Sequence, residues 1–155
     1  MKYNLSLLFF ILSFGCPLKA KMSVDLVNDT QGVALGGYDV VAYFKSQKAV
    51  KGLKKWSSVY QNHQYYFSSK ENQELFDKDP SSYVPIYGGW CSWAVSYGKI
   101  GVPVDYNEFF IKKDSSGKER LFLFFTGTLR KWEKENHREQ LKKADKTWEK
   151  SEKTF

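Results

Sequence analysis

The chain has 155 residues, of which 17% are aromatic and 26% charged, and a formal net charge of +7. That length holds one domain, and the aromatic content excludes a disordered chain, because aromatic burial offsets the entropy of ordering. With only Cys16 and Cys91, a disulfide-stapled scaffold is excluded once Cys16 falls in a leader.

Residues 1–20 read as a secretion signal. Lys2 supplies the charged n-region, and Leu5 to Phe14 is an uncharged apolar run, too short for a membrane-spanning helix. Two processing routes stay open. A peptidase cuts after Ala20, or Cys16 is lipidated and becomes the mature N-terminus after removal of residues 1–15. The protein is therefore expected to be exported: periplasmic, secreted, or membrane-anchored as a lipoprotein. No transmembrane span is expected in the mature chain. Lys2 and Lys19 fall in the leader, leaving 22 basic against 17 acidic residues. That excess reads as a solvated helix face or as affinity for an anionic envelope surface, with no nucleic acid as partner.

Residues 21–33 read as a flexible lead-in, and residues 34–152 as the domain. Gly36-Gly37 precedes a short helix or turn, Tyr38 to Phe44, that packs its aromatics inward. Trp56 to Tyr60 and Gln64 to Phe67 form a predicted hairpin turning at Gln61-Asn62-His63. Ser68-Ser69 offers an N-cap to a helix burying Leu75 and Phe76. After Tyr87-Gly88-Gly89, Trp90 to Tyr97 reads as a small apolar helix. Glu108 to Lys112 and Arg120 to Phe125 form a second hairpin. Thr126 or Thr128 caps a long C-terminal amphipathic helix reaching Glu152, with Leu129, Trp132, Leu141, Ala144 and Trp148 on its apolar stripe. Two β-hairpins, short helices and this long helix make the class α+β.

Three segments together resemble the YHS domain family, in its exported single-domain form. They are Gly37 to Phe44; Tyr66-Phe67-Ser68 with Glu71-Asn72, Phe76, Asp79-Pro80 and Tyr83; and Tyr87-Gly88-Gly89-Trp90-Cys91. The C-terminal hairpin, Trp132, Ala144-Asp145 and Trp148 are also similar. The resemblance implies a small module of a kind found beside copper transporters and certain oxygenases, where two cysteines four positions apart bind metal. On this chain those positions are Ser68 and Asn72, so a thiolate site for copper or zinc loses its ligands there. Both residues read instead as caps of the following helix.

The remaining candidates for a ligand or metal site are Cys91, His63 and Asp39. Cys91 is either a buried small hydrophobe, a metal ligand, or a thiol activated at a helix start. His63 is a turn residue, or the partner of Cys91 if the turn folds back; Asp39 satisfies turn amides or supplies an oxygen ligand. His137 reads as a surface residue. Tyr38, Tyr43, Tyr65, Tyr66, Tyr87, Trp90 and Trp93 are either aromatic core or the lining of a pocket. No phosphate loop, hydrolase triad order or paired catalytic carboxylates stand in the sequence. The expected function is a non-catalytic module that binds a small ligand or metal. The alternatives are an envelope interaction protein using its basic helix, and a thiol-dependent redox protein or enzyme using Cys91.

Overall fold

The computed structural model describes residues 26–154. The expected leader, the expected cut after Ala20 and the lipidation candidate Cys16 lie outside the described residues. The architecture is α+β, as the sequence predicts. One sheet contains β1 (Asp29–Thr30), β2 (Val33–Ala34), β3 (Leu53–Tyr60) and β4 (His63–Phe67) in the order β1-β2-β4-β3. Pairing is antiparallel except between β2 and β4. The expected lead-in is therefore sheet from Asp29 onward. Its polar residues tie it down: Asn28 is buried, its N–H donating to the Gly88 carbonyl at 2.8 Å and its side-chain amide to Gly89 at 3.0 Å.

The β3–β4 hairpin turns on two residues, Gln61 (φ 49°) and Asn62 (φ 66°). Two left-handed residues in succession match the right-handed twist of the strands, so His63 opens β4 rather than closing the turn. Asp39 caps α1 (Val40–Ser46), and Ser69 caps α2 (Lys70–Lys78) by accepting from the Asn72 N–H at 3.1 Å. Ser68 is thus not the cap of α2.

The short helix α3 (Ser92–Ser96) precedes the second hairpin, β5 (Asp105–Lys113) with β6 (Glu119–Phe124). Leu121, Phe122, Leu123 and Phe124 are all fully buried. Side chains alternate across a strand, so Leu121 and Leu123 enter one core with Val40, Val41, Tyr43, Phe67 and Phe76. Phe122 and Phe124 enter a second core with Tyr87, Val95, Trp132, Leu141 and Ala144. A strand covered on both faces reads as an unbroken apolar run, and β6 is the wall between the two cores.

The expected single C-terminal helix is two, α4 (Thr128–Lys134) and α5 (His137–Glu152). Glu135 and Asn136 are extended, and the Asn136 side chain accepts from the Glu139 N–H at 3.3 Å, starting a new helix. The break turns His137 inward. It is half-buried, accepts from the Trp132 indole N–H at 2.9 Å and packs beside Phe110 and Phe122, contrary to the surface position expected of it. Among the described residues, no helix is long and apolar enough to cross a membrane.

Candidate functional site

The three expected ligand residues lie in different places with different partners. Asp39 is fully buried at the start of α1. Its Oδ1 accepts from the Val41 and Ala42 N–H groups at 2.9 and 3.2 Å. Its Oδ2 accepts from the Ser68 N–H at 2.7 Å, the Ser68 hydroxyl at 2.6 Å and the Asn72 amide at 2.7 Å. Ser68 and Asn72 thus converge on one carboxylate. Five donors saturate it, which answers its charge with hydrogen bonds instead of a cation.

Cys91 is fully buried at the start of α3. Its sulfur accepts from the Phe125 N–H at 3.3 Å and lies 3.5 Å from the Thr128 hydroxyl. It joins α3 to the end of β6 as a packed polar hydrophobe and is closed to a reactant from solvent. His63 is half-buried, with Nδ1 2.6 Å from Asp29 Oδ2, so it clasps β4 to β1. Among the described residues, no group of three or more His, Cys, Asp or Glu side chains is placed to hold a metal ion.

The aromatic candidates divide likewise. Tyr43 is buried, with its hydroxyl donating to the Tyr106 carbonyl at 2.9 Å. Tyr38 stacks on Tyr106 at 4.3 Å with the Lys51 ammonium 4.1 Å from its ring, and Tyr66 lies against Gly37. Trp90 and Trp93 pack on the second core, and the Trp93 indole N–H donates to Glu135 at 3.4 Å. Tyr65 and Tyr87, by contrast, line a cleft of about 620 Å³, within the range that admits a metabolite-sized ligand.

One wall of the cleft is the chain before β1, Leu26 and Val27, with Leu35 beside it. A second is the segment from Val84 to Gly88. The third is α5, which presents Asp145, Trp148, Glu149 and Glu152, while Arg120 of β6 lines it from the sheet side. Tyr87 organises this junction. It adopts a left-handed conformation (φ 57°), is buried, and donates its hydroxyl to Asp145 Oδ1 at 2.8 Å. Burial first, and then that bond, push its phenol far above the ordinary tyrosine range, so it is a fixed donor and not a base. Trp148 packs 6.0 Å from the Tyr87 ring, and its N–H donates to Glu152 at 2.8 Å. Leu35 (φ 54°) also lines the cleft with left-handed backbone, whereas the left-handed Gln61 belongs to the β3–β4 turn. Such strain costs about 1 kcal/mol or more at each non-glycine position and gathers at ligand sites.

Arg120 and the acidic side of α5 are absent from the sequence-based candidates. A signal for α5 is present: Asp145, Trp148, Glu149 and Glu152 follow i, i+3, i+4, i+7 spacing and so share one helix face. No family model, curated protein or solved structure matches this chain, so the reading of the site rests on its own geometry.

Proposed function

We propose that the chain is an exported, non-catalytic small-ligand-binding module on a YHS-like domain, and that its site is the cleft between Leu26-Val27, residues 84–88 and α5. The observation that carries this reading is the cleft itself, with aromatic and aliphatic walls, a few convergent polar groups and strained backbone at its rim. The saturated carboxylate of Asp39 and the separate positions of Cys91 and His63 favour an organic ligand over a metal ion. The burial of Cys91 weighs against thiol chemistry.

Titration with 1-naphthol, an uncharged aromatic that the cleft admits, is expected to shift the backbone resonances of residues 84–88 and the Trp148 indole N–H. Trp148→Ala is expected to weaken binding about tenfold, the worth of one well-packed aromatic wall. Shifts scattered over the surface, or affinity unchanged by Trp148→Ala, would overturn the reading.

A second reading, docking on an anionic envelope surface, draws on Lys142, Lys146 and Lys150, exposed at every fourth position of α5. It predicts sedimentation with phosphatidylglycerol vesicles that is lost as salt rises. Salt-independent sedimentation, or none, argues against it.

A further inference from the structure

Among the described residues, Arg120 is the one basic side chain that lines the cleft. Its Nε–H is buried and has no hydrogen-bond partner among the described residues. Its nearest acidic neighbour, Asp114, lies 3.7 Å from Nη1. The oxygen that faces it is Oδ2; the other, Oδ1, accepts from the Ser116 N–H, the Ser116 hydroxyl and the Lys118 N–H at 2.9, 2.6 and 3.1 Å. At 3.7 Å this ion pair is longer than a hydrogen bond, so the guanidinium makes no hydrogen bond among the described residues, and its planar fork suits a carboxylate through two parallel N–H bonds.

The same cleft is lined by three carboxylates of α5, Asp145, Glu149 and Glu152. Two have internal donors, Tyr87 for Asp145 and Trp148 for Glu152, while Glu149 is exposed to solvent. A simple anion would satisfy Arg120 but be repelled by these carboxylates. A simple cation would suit them but leave the guanidinium without a hydrogen-bonded partner. A ligand with both charges satisfies both sets, and Val84, Ile86 and Trp148 offer an apolar wall for its body.

We infer that the cleft takes a zwitterion of the α-amino-acid type with an apolar side chain, its carboxylate on Arg120 and its ammonium on Asp145 and Glu149. This inference rests on the cleft being the ligand site. Calorimetric titration of the protein with L-phenylalanine, phenylacetate, phenethylammonium and 1-naphthol separates the two. L-Phenylalanine is expected to bind at least tenfold more tightly than phenylacetate or phenethylammonium. Arg120→Gln is expected to lose at least tenfold for L-phenylalanine and little for 1-naphthol, whose retained binding reports an intact cleft. Arg120→Lys, which keeps charge but not the fork, is expected to fall between. Equal binding of L-phenylalanine and the two singly charged probes, or L-phenylalanine affinity unchanged in Arg120→Gln, overturns the zwitterion while 1-naphthol binding leaves the cleft reading standing. Failure of all four probes to bind overturns both.

Discussion

Asp39 shows how a single carboxylate can fasten three elements together. It caps α1 and, through Ser68 and Asn72, fastens the end of β4 and the first turn of α2 to that helix. Charge-assisted hydrogen bonds of this kind are about twice as strong as neutral ones. Asp39→Ala removes the acceptor for five buried or half-buried donors at once, and is expected to cost about 3–5 kcal/mol, since uncompensated buried donors carry the desolvation penalty in full. Asp39→Asn retains the shape and one acceptor oxygen and should cost less. Chemical denaturation of the two variants checks this order; an Asp39→Ala protein within about 0.5 kcal/mol of wild type would mean that the network contributes little. Ser68 and Asn72 matter here through Asp39, a partner 29 and 33 positions away that no local capping rule could identify.

The turn from Ile86 to Gly89 is the element that decides the cleft. Gly88 is left-handed (φ 60°), and a Cβ there would overlap the Leu26 carbonyl oxygen and press on the Trp148 ring. The close approach of the 26–28 segment to this turn thus depends on a residue without a side chain. Gly88→Ala combines the left-handed strain, about 1–2 kcal/mol, with displacement of Leu26. It is expected to destabilise the protein by about 2 kcal/mol or more and to speed hydrogen exchange at the Asn28 N–H, which donates to the Gly88 carbonyl. Unchanged protection at Asn28 would show that the segment is held by β1–β2 pairing alone. The C-terminal region makes the same point at the level of the helix. Its apolar stripe is continuous enough to suggest one helix, but Asn136 offers a local cap and the Trp132–His137 bond holds the break.

For the molecule as a whole, tyrosines buried in both cores, Tyr43 and Tyr65 in the first and Tyr87 in the second, set its response to alkali. Burial is the main cause that raises Tyr43, Tyr65 and Tyr87, with Tyr65 pushed up to about 12. In the unfolded chain tyrosine ionises near 10, so between the two values the unfolded state binds fewer protons than the native one. Stability from these groups is complete below about pH 10 and falls as pH rises toward 12. For Tyr65 alone, which is 3% exposed, the loss is about 2 kcal/mol at the end of that window. Denaturant midpoints measured from about pH 8 to about pH 11 should be level at first and then fall, less steeply in Tyr65→Phe. A midpoint that stays level past pH 11 would contradict the burial of these phenols.

Periodicity and turn chemistry along the chain determine the α+β class, both hairpins, the helix start at Ser68-Ser69 and the inward face of the C-terminal helix, because each depends on residues within a few positions of one another. The paired residues Asp29–Thr30 and Val33–Ala34 were illegible as strands, being two residues long and polar in part. Tertiary structure alone decides that Cys91, His63 and Asp39 stand apart and that Ser68 and Asn72 meet on one carboxylate. It also brings Leu26, Tyr87, Arg120, Asp145 and Trp148 around a single cleft. Those groupings join segments dozens of residues apart, and their geometry comes from β6 dividing two cores and from a glycine turn that allows close backbone contact. Local sequence rules specify each element, but not which distant element it will face.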